Sequence, residues 1–185
     1  MIYPHPGHQK LIEAIPVILG EMERLPVLML WHMQKEQGNI QVPNSCISLF
    51  DDACMDSMLL TIRTLDEFFR LRLNAPKRHE FLKTALVDDL YAEQFGFKEE
   101  APLLSKQRRD ELNKHLCHLT WHRTKTCLRT AIRDDVFQAI GPCSRFLGSI
   151  VNSGLLQQAP DLLHKVCELR EKMLDALEDP HWATQ

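Results

Sequence analysis

Between Pro43 and Pro76 one row of apolar side chains recurs at steps of three or four: Ile47, Phe50, Cys54, Met58, Ile62, Leu65 and Phe69. An α-helix gathers such positions on one face, whereas a strand would scatter them to both. The spacing predicts a helix over 45–73, opened by Asn44 or Ser45 as cap, of about 29 residues and roughly 43 Å. A helix of that length with one apolar face must pack against others. Arg63, Glu67 and Arg70, at i, i+4 and i+7, read as a solvated charge ladder beside the row.

The rest of the chain follows the same period. Few apolar–polar alternations occur and no strand is convincing, so the fold class is all-α. Residues 8–23 read as a short helix, and Pro26 opens a second that stops before Gly38. Over 79–104 the period is interrupted by Asp88-Asp89 and Phe95-Gly96-Phe97, which gives a short helix and then a loop. Ser105 then caps a long helix over 106–138, broken by Gly141-Pro142. A helical segment over 143–153 and a last helix over 160–178 follow. The last carries Leu162, Leu163, Val166, Leu169, Met173, Leu174 and Leu177 as a broad apolar face. The expectation is an antiparallel helical bundle with four major helices in a single domain spanning 1–185. Leu116, Trp121 and Leu128 join the core.

Composition narrows the function classes. No apolar run reaches the roughly 18 to 20 residues of a membrane helix, because Glu21, Glu23 and Arg24 interrupt the most hydrophobic stretch. The N-terminus has no basic segment followed by an apolar run, so a cytoplasmic location is expected. Six cysteines without a CxxC pair read as reduced thiols, mostly in the core, and exclude a zinc ribbon. A formal charge of −3 and a pI near 6.3 leave no general basic excess for nucleic acid, so any RNA contact must be local. Phosphate-loop, GxSxG and dinucleotide signatures are absent. Trp31, Trp121 and Trp182 read as core or interface residues rather than base-stacking platforms.

The informative segment is 108–123. His115, His118 and His122 follow one another at i, i+3 and i+7, with Lys125 and Arg129 continuing their face. Three readings compete for this stripe: helix-interface histidines with a structural role, a metal site using His118 and His122, and an Arg/His acid–base site. The metal reading has no ligand motif elsewhere and no HExxH order, so neither metal nor cofactor is expected.

The run Leu112-Asn113-Lys114-His115-Leu116-Cys117-His118-Leu119-Thr120, followed by Arg123 and preceded by a helix containing Arg63-Thr64-Leu65-Asp66-Glu67-Phe68-Phe69, resembles HEPN-type helical domains, particularly those of abortive-infection systems. The resemblance covers about 50 residues on two helices. It implies an antiparallel bundle, often a homodimer, that cleaves RNA without a metal. It further implies Arg109, the adjacent polar Asp110, and His115 or alternatively His118 as catalytic residues, with Arg108, Arg109, Lys114 and Arg123 binding RNA. Histidine would shuttle the proton while arginine holds the phosphate under attack by the 2′-hydroxyl. Arg109 and His115 lie about 240° apart on an ideal helix, so they converge only if the helix start is irregular or two subunits share the site.

The leading expectation is therefore a HEPN-like dimeric ribonuclease or toxin-like defence component, with RNA as substrate and an antitoxin or defence-system protein as partner. Its rival is a noncatalytic helical interaction protein, an inactive HEPN member included; a metal-binding bundle is third. Catalysis needs Arg108 or Arg109 and a histidine to face an open cleft.

Overall fold

A computed structural model describes residues 7–70, 91–97, 103–117 and 132–178. These form five helices: α1 (His8–Glu36), α2 (Ile47–Arg70), α3 (Lys106–Cys117), α4 (Ile132–Asn152) and α5 (Pro160–Glu178). Short 3-10 turns at Asn44–Cys46 and Ala92–Phe95 complete them, and no strand occurs among the described residues. The all-α bundle is as expected. No described helix is long and apolar enough to cross a membrane.

Two helical hairpins form the frame. Lys35 near the end of α1 pairs with Asp51 near the start of α2, with Nζ 2.7 and 2.8 Å from the two carboxylate oxygens. α4 turns into α5 through 153–159, where Gly154 adopts a φ of +72° that an L side chain would resist. The α5 side of one hairpin then lies against α1 of the other, where Lys172 approaches Glu23 at 3.9 Å.

Helix α1 is one continuous helix, which corrects the two helices expected there. Pro16 and Pro26 both lie inside it. An internal proline costs about 3 kcal/mol, but Ile15, Ile18, Met22, Leu25 and Met29 form one buried row across both prolines, each worth roughly 1.5–3 kcal/mol. Burial of the row outweighs the lost hydrogen bonds. The same physics overturns the break expected at Gly141-Pro142, because α4 runs straight through it. Val136, Ile140, Cys143, Leu147 and Ile150 keep one face in the core, and the carbonyl that Pro142 leaves without its amide partner belongs to Gln138, whose side chain is exposed. The expected segment over 143–153 is the second half of α4.

Smaller differences have local causes. Neither Asn44 nor Ser45 caps α2; they lie in the 3-10 turn that leads into it, behind Pro43. Cys54, Met58, Ile62, Leu65 and Phe69 are buried, while Ile47 and Phe50 in the first turn are only half-buried, at the open end of the hairpin. α5 has its expected bounds, with Val166, Leu169 and Met173 buried, but Leu177 is exposed. Trp31 is 49% exposed and so not a core residue. Leu128, Trp121 and the Leu116 side chain lie outside the described residues.

At one end of the core, Phe146 of α4 is 1% exposed and meets four other phenylalanines edge-on or tilted. Phe68 and Phe69 come from α2, Phe95 from the end of the second 3-10 turn and Phe97 from just beyond it. Their ring centroids lie 5.2–5.9 Å from that of Phe146, the range aromatic pairs prefer. Gly96, at φ +78°, turns the backbone so that Phe95 and Phe97 both reach this cluster.

Candidate functional site

Helix α3 begins where the sequence places it. The Ser105 hydroxyl oxygen accepts the Arg108 backbone N–H at 3.1 Å, the bond of an N-cap to the third helical residue. The backbone from Lys106 to Cys117 is regular α-helix. Positions 109 and 115 therefore stand about 240° apart around one axis, and an irregular helix start does not bring them together.

Each of the two arginines meets a buried carboxylate from another helix. Arg109 donates from Nε to Asp66 Oδ2 at 2.6 Å and from Nη2 to Asp66 Oδ1 at 3.1 Å, a two-pronged pair with α2. Asp66 is 0% exposed, and its Oδ1 also accepts the Leu104 backbone N–H at 3.1 Å, while the Leu104 carbonyl accepts from Arg109 Nη2 at 3.0 Å. Asp66 thus fixes both the arginine and the chain entering α3. The hydrogen bond to Asp66 raises the Arg109 pKa above its ordinary value, so its charge is permanent.

Arg108 ties α3 to α4. Its Nε and Nη2 lie 2.8 and 2.6 Å from Asp135 Oδ2, and its Nη1 3.4 Å from Glu111. Asp135 is buried; desolvation pushes its carboxyl above the usual range, against the opposing pull of the Arg108 hydrogen bond and charge. Burying a carboxylate is expensive, and Arg108 supplies the opposite charge and two donors, both to Oδ2.

Of the expected site residues, Arg108 and Arg109 are thus drawn in opposite directions, toward α4 and α2. The side chain of Arg108 is 12% exposed and that of Arg109 15%. Asp110, between Arg109 and Glu111, is exposed. The side chains of Lys114 and His115, and all of His118, His122 and Arg123, lie outside the described residues. The cations Lys106, Arg108 and Arg109 at this end of α3 are matched by Asp66, Asp110, Glu111 and Asp135, so no basic patch builds up on the described part. Neither arginine borders the hollows found between α1 and α5.

Asp66 and Asp135 are the residues that sequence reasoning missed. Their signal was position rather than type. Asp66 falls four residues after Ile62 and three before Phe69, and Asp135 three after Ile132 and four before Ala139, so each acid stands in a buried apolar row. An acid at a core position calls for a cation from a neighbouring element.

Cys46, Cys54, Cys143 and Cys167 are free thiols, and burial followed by the nearby Asp51 raises that of Cys54. Cys127 and the Cys117 side chain lie outside the described residues. Among the described residues no group of three His, Cys, Asp or Glu side chains could hold a metal ion. Comparison with family models, curated proteins and solved structures finds no match to this chain.

Proposed function

We propose that the chain is a noncatalytic helical interaction protein, in which Arg108 and Arg109 hold the bundle together rather than hold a phosphate. The observation that carries this reading is the two-pronged bond of Arg109 to the fully buried Asp66, matched by that of Arg108 to Asp135. Moving either guanidinium to a phosphate would strand a buried carboxylate, at a cost of roughly 3–5 kcal/mol. A surface of the right character for a partner lies elsewhere: Val17, Val27, Leu30 and Trp31 are large apolar side chains exposed on α1. An inactive HEPN-type member acting in the cytoplasm beside a defence-system or antitoxin-like partner fits the same reading.

The HEPN-like ribonuclease remains the second reading, for one specific reason. Arg109 Nη1 takes part in none of the three Arg109 bonds, so Asp66 leaves that nitrogen to reach a phosphate while a histidine arrives from a second copy. A mixed RNA pool incubated with the purified chain, with and without chelator, separates the two. We expect intact RNA in both arms and a lowered melting temperature for Arg109→Ala. Cleavage by the wild type that disappears in a fully folded Arg109→Ala variant would establish the ribonuclease instead, and cleavage lost only with chelator would point to the His118 and His122 metal site.

A further inference from the structure

Within 16–31 of α1 the exposed positions are 16–17, 20, 23–24, 27 and 30–31. They recur every 3.5 residues, the period at which two helices keep one seam in contact. Amphipathic helices normally give such a face to charged side chains, yet here the ends are apolar and charge is confined to the centre, at Glu23 and Arg24. The row is also symmetric about the point between those two residues. Turned end for end, Val17 falls on Leu30, the small Gly20 falls on Val27, and Glu23 falls on Arg24.

The surface beside the row is hollowed. Two hollows of about 380 and 420 Å³ meet at Glu23, Leu169 and Lys172 and form one furrow between α1 and α5. Along α1 the furrow runs from Pro16 to Leu30, roughly 21 Å at 1.5 Å per residue, which is also the length of the exposed row.

From this self-complementarity we infer that the occupant is a second copy of this chain, its α1 lying antiparallel across the first with the dyad between Glu23 and Arg24. In that register Val17 meets Leu30 of the partner subunit, Gly20 meets Val27 of the partner subunit, and Glu23 meets Arg24 of the partner subunit. Each contact occurs twice, as an isologous interface requires. Gly20 lets the helices approach closely at the furrow, and the α5 wall widens a contact that one helix pair alone would leave below the roughly 800 Å² per partner of stable interfaces. The inference rests on the interaction reading and names its partner.

The test is the mass of the full chain in solution, by sedimentation equilibrium over a micromolar concentration series. Wild type is expected at twice the 21.5 kDa chain mass. Arg24→Glu sets two acids together on each side of the dyad and should weaken the dimer at least about tenfold. Glu23→Arg combined with Arg24→Glu restores the opposition and should return most of the affinity. Gly20→Trp should give a folded monomer, since a Cβ at Gly20 meets nothing within 4 Å in the single chain. A wild-type monomer across the series overturns the inference, and with RNA left intact it leaves the interaction reading standing with a different partner. A dimer indifferent to Gly20→Trp, or one that the double charge reversal fails to restore, overturns it equally.

Discussion

The phenylalanine cluster around Phe146 and the arginine pairs at the start of α3 hold adjoining parts of the same bundle by opposite means. Phe146 spreads its contribution over four rings. Asp66 concentrates its contribution in three hydrogen bonds that form together or leave a buried charge unpaired. Apolar packing is cumulative and tolerant of small changes, whereas a buried ion pair is all-or-none and fixes one register of α3 against α2.

The largest effects should come from removing the centre of each region. Phe146→Ala and Asp66→Ala are each expected to cost about 3–5 kcal/mol in denaturant unfolding. They should differ in rescue. Asp66→Leu combined with Arg109→Met replaces both charges by apolar groups and should recover part of the loss, since a matched apolar pair needs no compensating charge, while the Leu104 backbone N–H and carbonyl still lose their side-chain partners. No single second-site change should do the same for Phe146→Ala, because its cavity is shared among elements.

A smaller difference lies in pH. The folded Asp135 carboxyl holds its proton more tightly than the unfolded one, whose ordinary pKa is 3.8. Its titration contributes stability that is complete below that value and lost as pH rises through the higher folded pKa. The advantage of wild type over Asp135→Asn should therefore shrink with rising pH across the acidic range and then level off. The advantage of wild type over Phe146→Leu should have no such slope. The smallest effect is expected at the surface: Glu67 is exposed and its 3.3 Å contact with Arg63 should be worth about 0–1 kcal/mol, so Glu67→Ala should leave the melting curve almost unchanged.

The same contrast explains what the sequence disclosed. Rows such as Cys54, Met58, Ile62, Leu65 and Phe69 announce a buried face by period alone, and α5 is legible to both its ends. The prolines misled because a local penalty of a few kcal/mol at Pro26 or Pro142 is visible in the sequence, whereas the burial that outweighs it is tertiary. The candidate site was legible only in half. Arg108, Arg109 and the Ser105 cap stand in one short segment, but their carboxylate partners are 27 and 43 residues away. An arginine destined for an internal pair looks, in one dimension, like an arginine awaiting a phosphate.

A double-mutant cycle over Asp66→Ala, Arg109→Ala and their combination, read as unfolding free energy, tests most directly whether Arg109 belongs to the scaffold. We expect strong non-additivity, with a coupling of at least about 2 kcal/mol and the double variant more stable than Asp66→Ala alone. Additive losses, with Arg109→Ala close to wild type in stability, would contradict the scaffold role and return Arg109 to the candidates for binding RNA.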